Sequence, residues 1–215
     1  SQIYCQGKLL DMVQKAKIFE DGKHFVDMKL KFLPTVVLDN FEQFLIDYPN
    51  PTPVKIKEFV FDNFDPPGSE LIDVVPADFS ESPKFLERIH DANVREWASE
   101  LHQLWKKLGK KVVDDVRDNP SQYSILYVPH PTIVPGGRFR EFYYWDSYWT
   151  IRGLLVSGMT DTVKGMLLNF LALVERFGFV PNGGRIYYSQ RSQPPFLIPM
   201  VKEYVDATGD TEFLR

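Results

Sequence analysis

The sequence predicts an all-α protein assembled from antiparallel helix pairs, and three observations carry that prediction. Apolar residues recur at three- and four-residue spacing over most of the chain. Glycine, proline and capping residues punctuate the ends of these periodic stretches. Beyond about Tyr144 the stretches follow one another with short breaks, so that neighbours must lie antiparallel. Stacked hairpins of this kind make a toroid or a solenoid; no repeat of fixed period is present.

Leu9, Leu10, Met12, Val13, Ala16 and Phe19 form the apolar stripe of a first helix, closed by Asp21-Gly22. Residues 24–34 read as extended. Thr35 is suited to cap a helix running to about Tyr48, and Pro51-Thr52-Pro53 breaks the chain before a shorter helical run to Phe64. Asp65-Pro66-Pro67-Gly68 is a turn. The longest expected helix has Ser82 as N-cap and Pro83 in the first helical position. It carries Leu86, Ile89, Trp97, Leu101, Leu104, Trp105 and Leu108 on one stripe and stops at Gly109, about 26 residues in all. Lys106, Lys107, Lys110 and Lys111 read as its solvated end, where cations offset the negative pole of the helix dipole. From Ser121 to Gly137 the chain is extended or looped.

Helical periodicity resumes near Tyr144 and runs through Trp145, Tyr148, Trp149, Ile151, Leu154 and Leu155 to Gly158. Thr160 opens the antiparallel neighbour, which Gly178 ends. Phe179-Val180 and Ile186-Tyr187-Tyr188 flank Asn182-Gly183-Gly184 as a short turned or hairpin-like excursion. Pro194-Pro195 starts another helix that ends at Thr208-Gly209, and Asp210 caps one more. Only its first turn is present, and so short a helix gains little alone, so the chain reads as one segment of a longer polypeptide.

Hydrophobic residues make up 44% and charged residues 25% of the 215, which excludes disordered and fibrous classes. Acids outnumber bases 29 to 25 for a net charge of −4, so no excess of positive charge exists to neutralise phosphates, and nucleic acid is excluded as an expected partner. The densest apolar run, Met166 to Val174, contains Asn169 and is followed by Glu175 and Arg176, so no segment spans a membrane. The opening Ser1-Gln2-Ile3-Tyr4-Cys5 has no signal-peptide pattern, which fits a cytoplasmic chain or a mature one. Cys5 is the single cysteine, so no internal disulfide forms. His24, His90, His102 and His130 lack ligand spacing, so neither a metal nor another cofactor is expected.

Two segments carry chemistry. Pro135 to Trp149 reads Pro-Gly-Gly-Arg-Phe-Arg-Glu-Phe-Tyr-Tyr-Trp-Asp-Ser-Tyr-Trp, a mixture that core packing does not ask for. Gly136 and Gly137 let the backbone pass close to a ligand. Arg138 presents a planar fork of donors, Asp146 can accept from two vicinal hydroxyls, and Trp145 offers a flat apolar face to the C–H side of a pyranose. The second segment, Pro181-Asn182-Gly183-Gly184-Arg185 through Arg191-Ser192-Gln193-Pro194-Pro195, adds Asn182 and Gln193, each a paired donor and acceptor suited to a hydroxyl. Together they describe a pocket for a neutral polyol. Simpler roles stand beside this one. Trp145, Tyr148 and Trp149 have core spacing, Asp146 could serve only the first-turn amides of its helix, Gln193 could cap the next helix, Asn182-Gly183 is a turn signal, and Glu141 could pair with Arg140 on the surface.

The run Pro135–Trp149 resembles the first diagnostic motif of the trehalases, the glycoside hydrolases that split α,α-trehalose into two glucoses. Leu101-His102-Gln103-Leu104-Trp105, Pro181-Asn182-Gly183 and Arg191-Ser192-Gln193-Pro194-Pro195 follow in the family's order, and Ile3-Tyr4-Cys5-Gln6-Gly7 is similar to the start of mature animal trehalases. The resemblance implies the N-terminal part of an (α/α)₆ barrel, with residues 1–80 as helical and extended segments packed on it and 81–215 as the first helices of the catalytic domain. It implies substrate-binding places for Arg138, Trp145, Asp146, Asn182, Arg191, Ser192 and Gln193, and none for Arg140 or Arg185. The family's catalytic aspartate in Gly-Trp-Asp-Phe, its later glutamate and its Gln-Trp-Asp motif have no counterpart here, so no catalytic residue lies in this span and both are expected beyond Arg215. The implied reaction is hydrolysis with inversion. The implied partners are trehalose and the C-terminal remainder of the same protein, in an extracellular or cell-surface setting. A non-catalytic carbohydrate-binding module and another glucosidase of the same barrel type remain as alternative readings.

Overall fold

A computed structural model describes residues 1–215. In chain order its helices are α1 (Lys8–Ala16), α2 (Lys23–Val26), α3 (Pro34–Asp47), α4 (Pro53–Asn63), α5 (Ala92–Leu108), α6 (Asp114–Asp118), α7 (Asp146–Val156), α8 (Thr160–Phe177) and α9 (Leu197–Thr208). Its strands are β1 (Lys29–Leu30), β2 (Phe64–Asp65), β3 (Leu71–Asp73), β4 (Gly109–Val112) and β5 (Thr132–Ile133). The protein is thus mostly helical, with small antiparallel sheets. The chain divides into two compact units. The first comprises Ser1–Leu71, Val113–Tyr127 and Arg185–Tyr187; the second comprises Ile72–Val112, Val128–Gly184 and Tyr188–Arg215.

The first unit is built on phenylalanine. Phe25, Phe41, Phe44, Phe59 and Phe64 are buried and meet ring to ring, with Phe25–Phe64 and Phe44–Phe59 centroids each 5.0 Å apart. α1 buries Leu9 and Val13 as its stripe requires, but it stops at Lys17 in the left-handed conformation (φ 50°), which leaves Phe19 outside the helix. The segment expected to be extended over 24–34 is instead the helical turn α2 followed by the two-residue β1. Asp21 accepts the Lys23 N–H at 2.9 Å and so starts the turn, and β1 pairs antiparallel with β2, Leu30 opposite Phe64. α3 starts with Pro34 as its first residue, not with Thr35 as a cap. Thr52 does cap α4 through the Lys55 N–H.

Charge is buried here as well. Arg185, Asp27 and Glu70 are each at most 1% exposed. The Arg185 guanidinium lies 2.7 Å from Glu70 Oε1 and 3.7 Å from Asp27 Oδ1, and donates to Ser124 Oγ at 3.0 Å. Its contact with Oε1 is ionic, lacking hydrogen-bond alignment. Lys23 Nζ reaches Asp27 Oδ2 at 2.6 Å and the Tyr187 hydroxyl donates to Oδ1 at 2.7 Å.

In the second unit the long expected helix is divided. Pro83 is extended (φ −70°, ψ 140°), Lys84–Arg88 is a 3₁₀ turn, and α5 begins only at Ala92, where Asp91 accepts the Val94 N–H at 3.0 Å. A cap inside the periodic run ends one element and starts the next. Lys110 and Lys111 do not follow a solvated helix end either: at Gly109 the chain turns directly into β4, which pairs with β5, Gly109 opposite Ile133. A side chain at Gly109 would strike the Val74 carbonyl. α7, α8 and α9 pack on one another around Ile151, Leu154, Val163, Met166, Leu167, Phe170 and Met200. Gly178 ends α8 with φ 78° and Gly209 ends α9 with φ 72°. Of the two expected forms, the excursion across Asn182-Gly183-Gly184 takes the turned one and not a hairpin. Gly183 pairs instead with Tyr143, and Ile186–Tyr188 is a 3₁₀ turn.

Candidate functional site

All seven sequence-predicted site residues lie in the second unit. Gly136 and Gly137 have φ of 92° and 61° and turn the chain tightly enough for Gly136 and Phe139 to exchange both backbone hydrogen bonds, at 3.2 and 3.1 Å. A conformation in which Cβ is unwelcome therefore carries Arg138 at its tip. Arg138 is exposed, with its guanidinium 5.2 Å above the Phe139 ring. The chain then turns inward, and Glu141, Phe142, Tyr143 and Tyr144 are all buried. A surface pair between Glu141 and Arg140 is ruled out by the complete burial of Glu141.

The chain emerges again at Trp145, 40% exposed, and Asp146, the first residue of α7. Trp145 and Trp149 are thus surface aromatics, not core. Asp146 makes no cap bond, and the amides of Ser147 and Tyr148 donate instead to the carbonyls of Tyr144 and Trp145 at 3.2 and 3.0 Å. Its carboxylate is left on the surface.

The second motif is laced onto the first through the backbone. Asn182 donates its N–H to the Arg191 carbonyl at 2.9 Å, and its own carbonyl accepts from the Tyr144 N–H at 3.1 Å. Gly184 donates to the Phe142 carbonyl at 3.0 Å. Gln193 does not cap α9; its Oε1 accepts the Trp145 N–H at 3.0 Å, while the Leu197 N–H at the start of α9 donates to the Tyr144 hydroxyl at 3.0 Å. Ser192 Oγ donates to the Val180 carbonyl at 2.7 Å. Arg191 is exposed, its guanidinium 5.0 Å from the centre of the Tyr188 ring. Trp145 also meets Phe196, centroids 6.3 Å apart.

Beside these residues lies a cleft of about 380 Å³ whose wall includes Tyr143, Asp146, Ser147, Trp149, Thr150 and Trp105. A cleft with aromatic walls and a few polar groups is the usual form of a small-molecule site. A larger one, about 440 Å³, lies in the first unit between α1 and α4, but its lining of Met12, Ala16, Leu45, Pro51, Pro53 and Ile56 with lysines at the rim offers no comparable set of planar polar groups. In the second unit, burial, reinforced by the hydrogen bond to Glu141, pushes the Tyr143 phenol far above its ordinary pKa, so it stays protonated and remains a donor. Sequence reasoning did not single out Tyr143 or Tyr188, and it put Glu141 on the surface. The available signal was an acid set inside an unbroken aromatic run, Glu141-Phe142-Tyr143-Tyr144.

A family model described as Trehalase matches residues 17–215. The chain belongs to the trehalase family. It is 58% identical over its whole length to a trehalase of Apis mellifera, 53% identical to one of Homo sapiens and 48% identical to one of Tenebrio molitor. Homology is therefore broad, reaching 42% identity over 91% of the chain with a trehalase of Arabidopsis thaliana. The chain spans 34%, 37% and 39% of the length of the three animal relatives and 32% of the plant one. The resemblance read from Pro135–Trp149 and Arg191–Pro195 thus extends over nearly every residue.

Proposed function

We propose that this chain supplies the sugar-gripping part of a trehalase that hydrolyses α,α-trehalose to two glucoses. Arg138, Trp145, Asp146, Asn182, Arg191, Ser192 and Gln193 hold one glucosyl ring, Trp145 against its apolar face and the planar side chains on its hydroxyls. The observation that carries the reading is the lacing of the two motifs, in which Asn182 is held by its main chain to both Arg191 and Tyr144 while Gln193 takes the Trp145 N–H. Residues far apart in sequence are thereby fixed in one neighbourhood of one unit, as pre-organised binding requires. The reaction is a single displacement with inversion. The acid protonates the bridging oxygen and the base activates water on the opposite face, from carboxyls roughly 6.5–9.5 Å apart. Both carboxyls come from parts of the polypeptide outside these residues.

The same remainder completes the barrel by packing on the second unit. Support comes from apolar side chains left in solvent there: Trp97 at 60%, Trp149 at 56% and Val156 at 62% exposure. Monomeric domains seldom leave large apolar patches bare. An extracellular or cell-surface location follows from the likeness of Ile3–Gly7 to mature animal trehalases. The test is to assay full-length protein against trehalose, maltose and sucrose while following the anomer of the released glucose. Release from trehalose with inverted configuration is expected. Preference for maltose or sucrose would mark a different glucosidase, and tight sugar binding without glucose release would mark a binding module.

A further inference from the structure

We propose that Glu141 is a positioning residue for the sugar grip, acting through the Tyr143 hydroxyl on Tyr188 and, beyond it, on the guanidinium of Arg191. The inference rests on the function proposed above.

Tyr143 sits where the site's elements cross. Its main chain bridges to Gly183, beside Asn182. Its ring stands edge-on to Phe139, the ring that carries the Arg138 guanidinium, with centroids 5.7 Å apart. On the other side it leans at 59° against Tyr188, the ring that carries Arg191, with centroids 5.9 Å apart. It also lines the cleft that contains Asp146. A small rotation of this one ring would therefore disturb the supports of both arginines.

Glu141 is what fixes that ring. Its side chain is fully buried, and its Oε1 accepts the Tyr143 hydroxyl proton at 2.5 Å, the short end of hydroxyl–carboxyl hydrogen bonding. A carboxyl is almost never fully buried without such a partner. With its proton committed to Glu141, the Tyr143 oxygen faces the Tyr188 hydroxyl as an acceptor at 3.5 Å, the outer edge of hydrogen-bonding distance. Donation then runs from Tyr188 to Tyr143 to Glu141. A phenol polarised in that sense has a more negative ring face, and a more negative face holds a cation more firmly. Arg191 is thus supported from below by a ring whose orientation and electron density both trace back to Glu141.

The test uses the full-length protein with Tyr143→Phe, which removes one oxygen, and Glu141→Gln, which keeps an acceptor in place, each alone and combined with Arg191→Ala. Each single change is expected to lower kcat/KM for trehalose about tenfold, with Glu141→Gln the milder; Tyr143→Phe also lowers the melting temperature, because it takes a donor from the buried Glu141. In the Arg191→Ala background neither should lower kcat/KM further, because the group they aim is gone. Losses that multiply with that of Arg191→Ala, or wild-type kcat/KM in the single variants, would overturn the proposal. If a buried substitution prevents folding, Tyr188→Phe on a half-buried ring makes the same comparison. If the wild type releases no glucose from trehalose, the functional reading fails separately. The positioning claim is then decided by a crystal structure of Tyr143→Phe, in which Arg191 should leave the Tyr188 ring; an undisplaced guanidinium refutes it.

Discussion

Arg185 and Arg191 stand six positions apart in one segment, yet the protein treats them oppositely. Arg185, in the first unit, is wholly buried against two carboxylates and a serine hydroxyl. Arg191, in the second unit, is exposed and rests on an aromatic face. A guanidinium with its fork consumed by buried acids holds a fold together. One that rests on a ring at the surface is placed to use its donors on a sugar in the function proposed above. Arg138, also exposed, likewise has its guanidinium over a ring. What surrounds the fork separates the buried structural arginine from the exposed ones proposed to grip a sugar.

The contrast is sharpest in what removal costs. Arg185→Met should destabilise the first unit by about 3–5 kcal/mol, because Asp27 and Glu70 would stay buried without their guanidinium. Urea denaturation measures it, and a midpoint close to wild type would show that the cluster is not holding the unit. Next, Arg138→Lys in the full-length protein should leave the melting temperature alone and lower kcat/KM at least a hundredfold, about 2.7 kcal/mol, since an ammonium keeps the charge but not the fork. Steady-state kinetics with trehalose decides it; wild-type efficiency would make Arg138 a surface residue.

Two smaller effects refine the comparison. Gly136→Ala should destabilise by about 1–2 kcal/mol through its φ of 92° alone, since an added Cβ meets nothing closer than Leu108 at 3.6 Å. Thermal unfolding would register the loss, and an unchanged midpoint would mean that the Arg138 turn stores no strain. The smallest effect is electrostatic. The Tyr123 hydroxyl, with Asn119 and Lys29, lowers the Asp115 carboxyl from 3.8 to about 2. A depressed carboxyl stabilises above its ordinary pKa and loses that contribution as pH falls from about 4 towards 2. With side chains 24% and 42% exposed, the Lys29–Asp115 pair is partly screened, so the loss should be slight. Asp115→Asn should flatten the acid limb of the first unit's stability curve; an identical limb would assign acid sensitivity elsewhere.

How much of this was legible depended on the range of the interactions. The ends of α7 and α8 were plain because Gly158 and Gly178 are local signals that need no partner. The division before α5 was not, because Pro83 and Asp91 are both good starting signals inside one apolar period, and periodicity cannot choose between them. Trp97 fell on an apolar stripe and Trp149 could be read as core or as ligand-facing, because spacing reports a shared face but not what lies against it. The two site motifs were visible as composition, Gly-Gly-Arg and Asn-Gly with Arg-Ser-Gln. Their lacing was invisible, since the bonds from Asn182 and Gly184 are made by backbone groups that every residue carries. Burial of Arg185 and Glu141 was equally hidden, because the partners of Arg185 lie as far away as Asp27 and because an acid beside Arg140 has an obvious local partner.

The discontinuity of the first unit has a consequence in time. Asp27 meets Lys23 one helical turn away, so that pair can close as soon as α2 has been synthesised. Glu70 must wait for Arg185, roughly 115 residues later, which at about 5–20 residues per second on the ribosome is on the order of 6–23 s. Through that interval its carboxylate cannot be buried cheaply, and the space that Arg185 later fills stays open to water. The N-terminal helices therefore leave the ribosome as an unfinished vessel, and three residues arriving late, Arg185 to Tyr187, seal it.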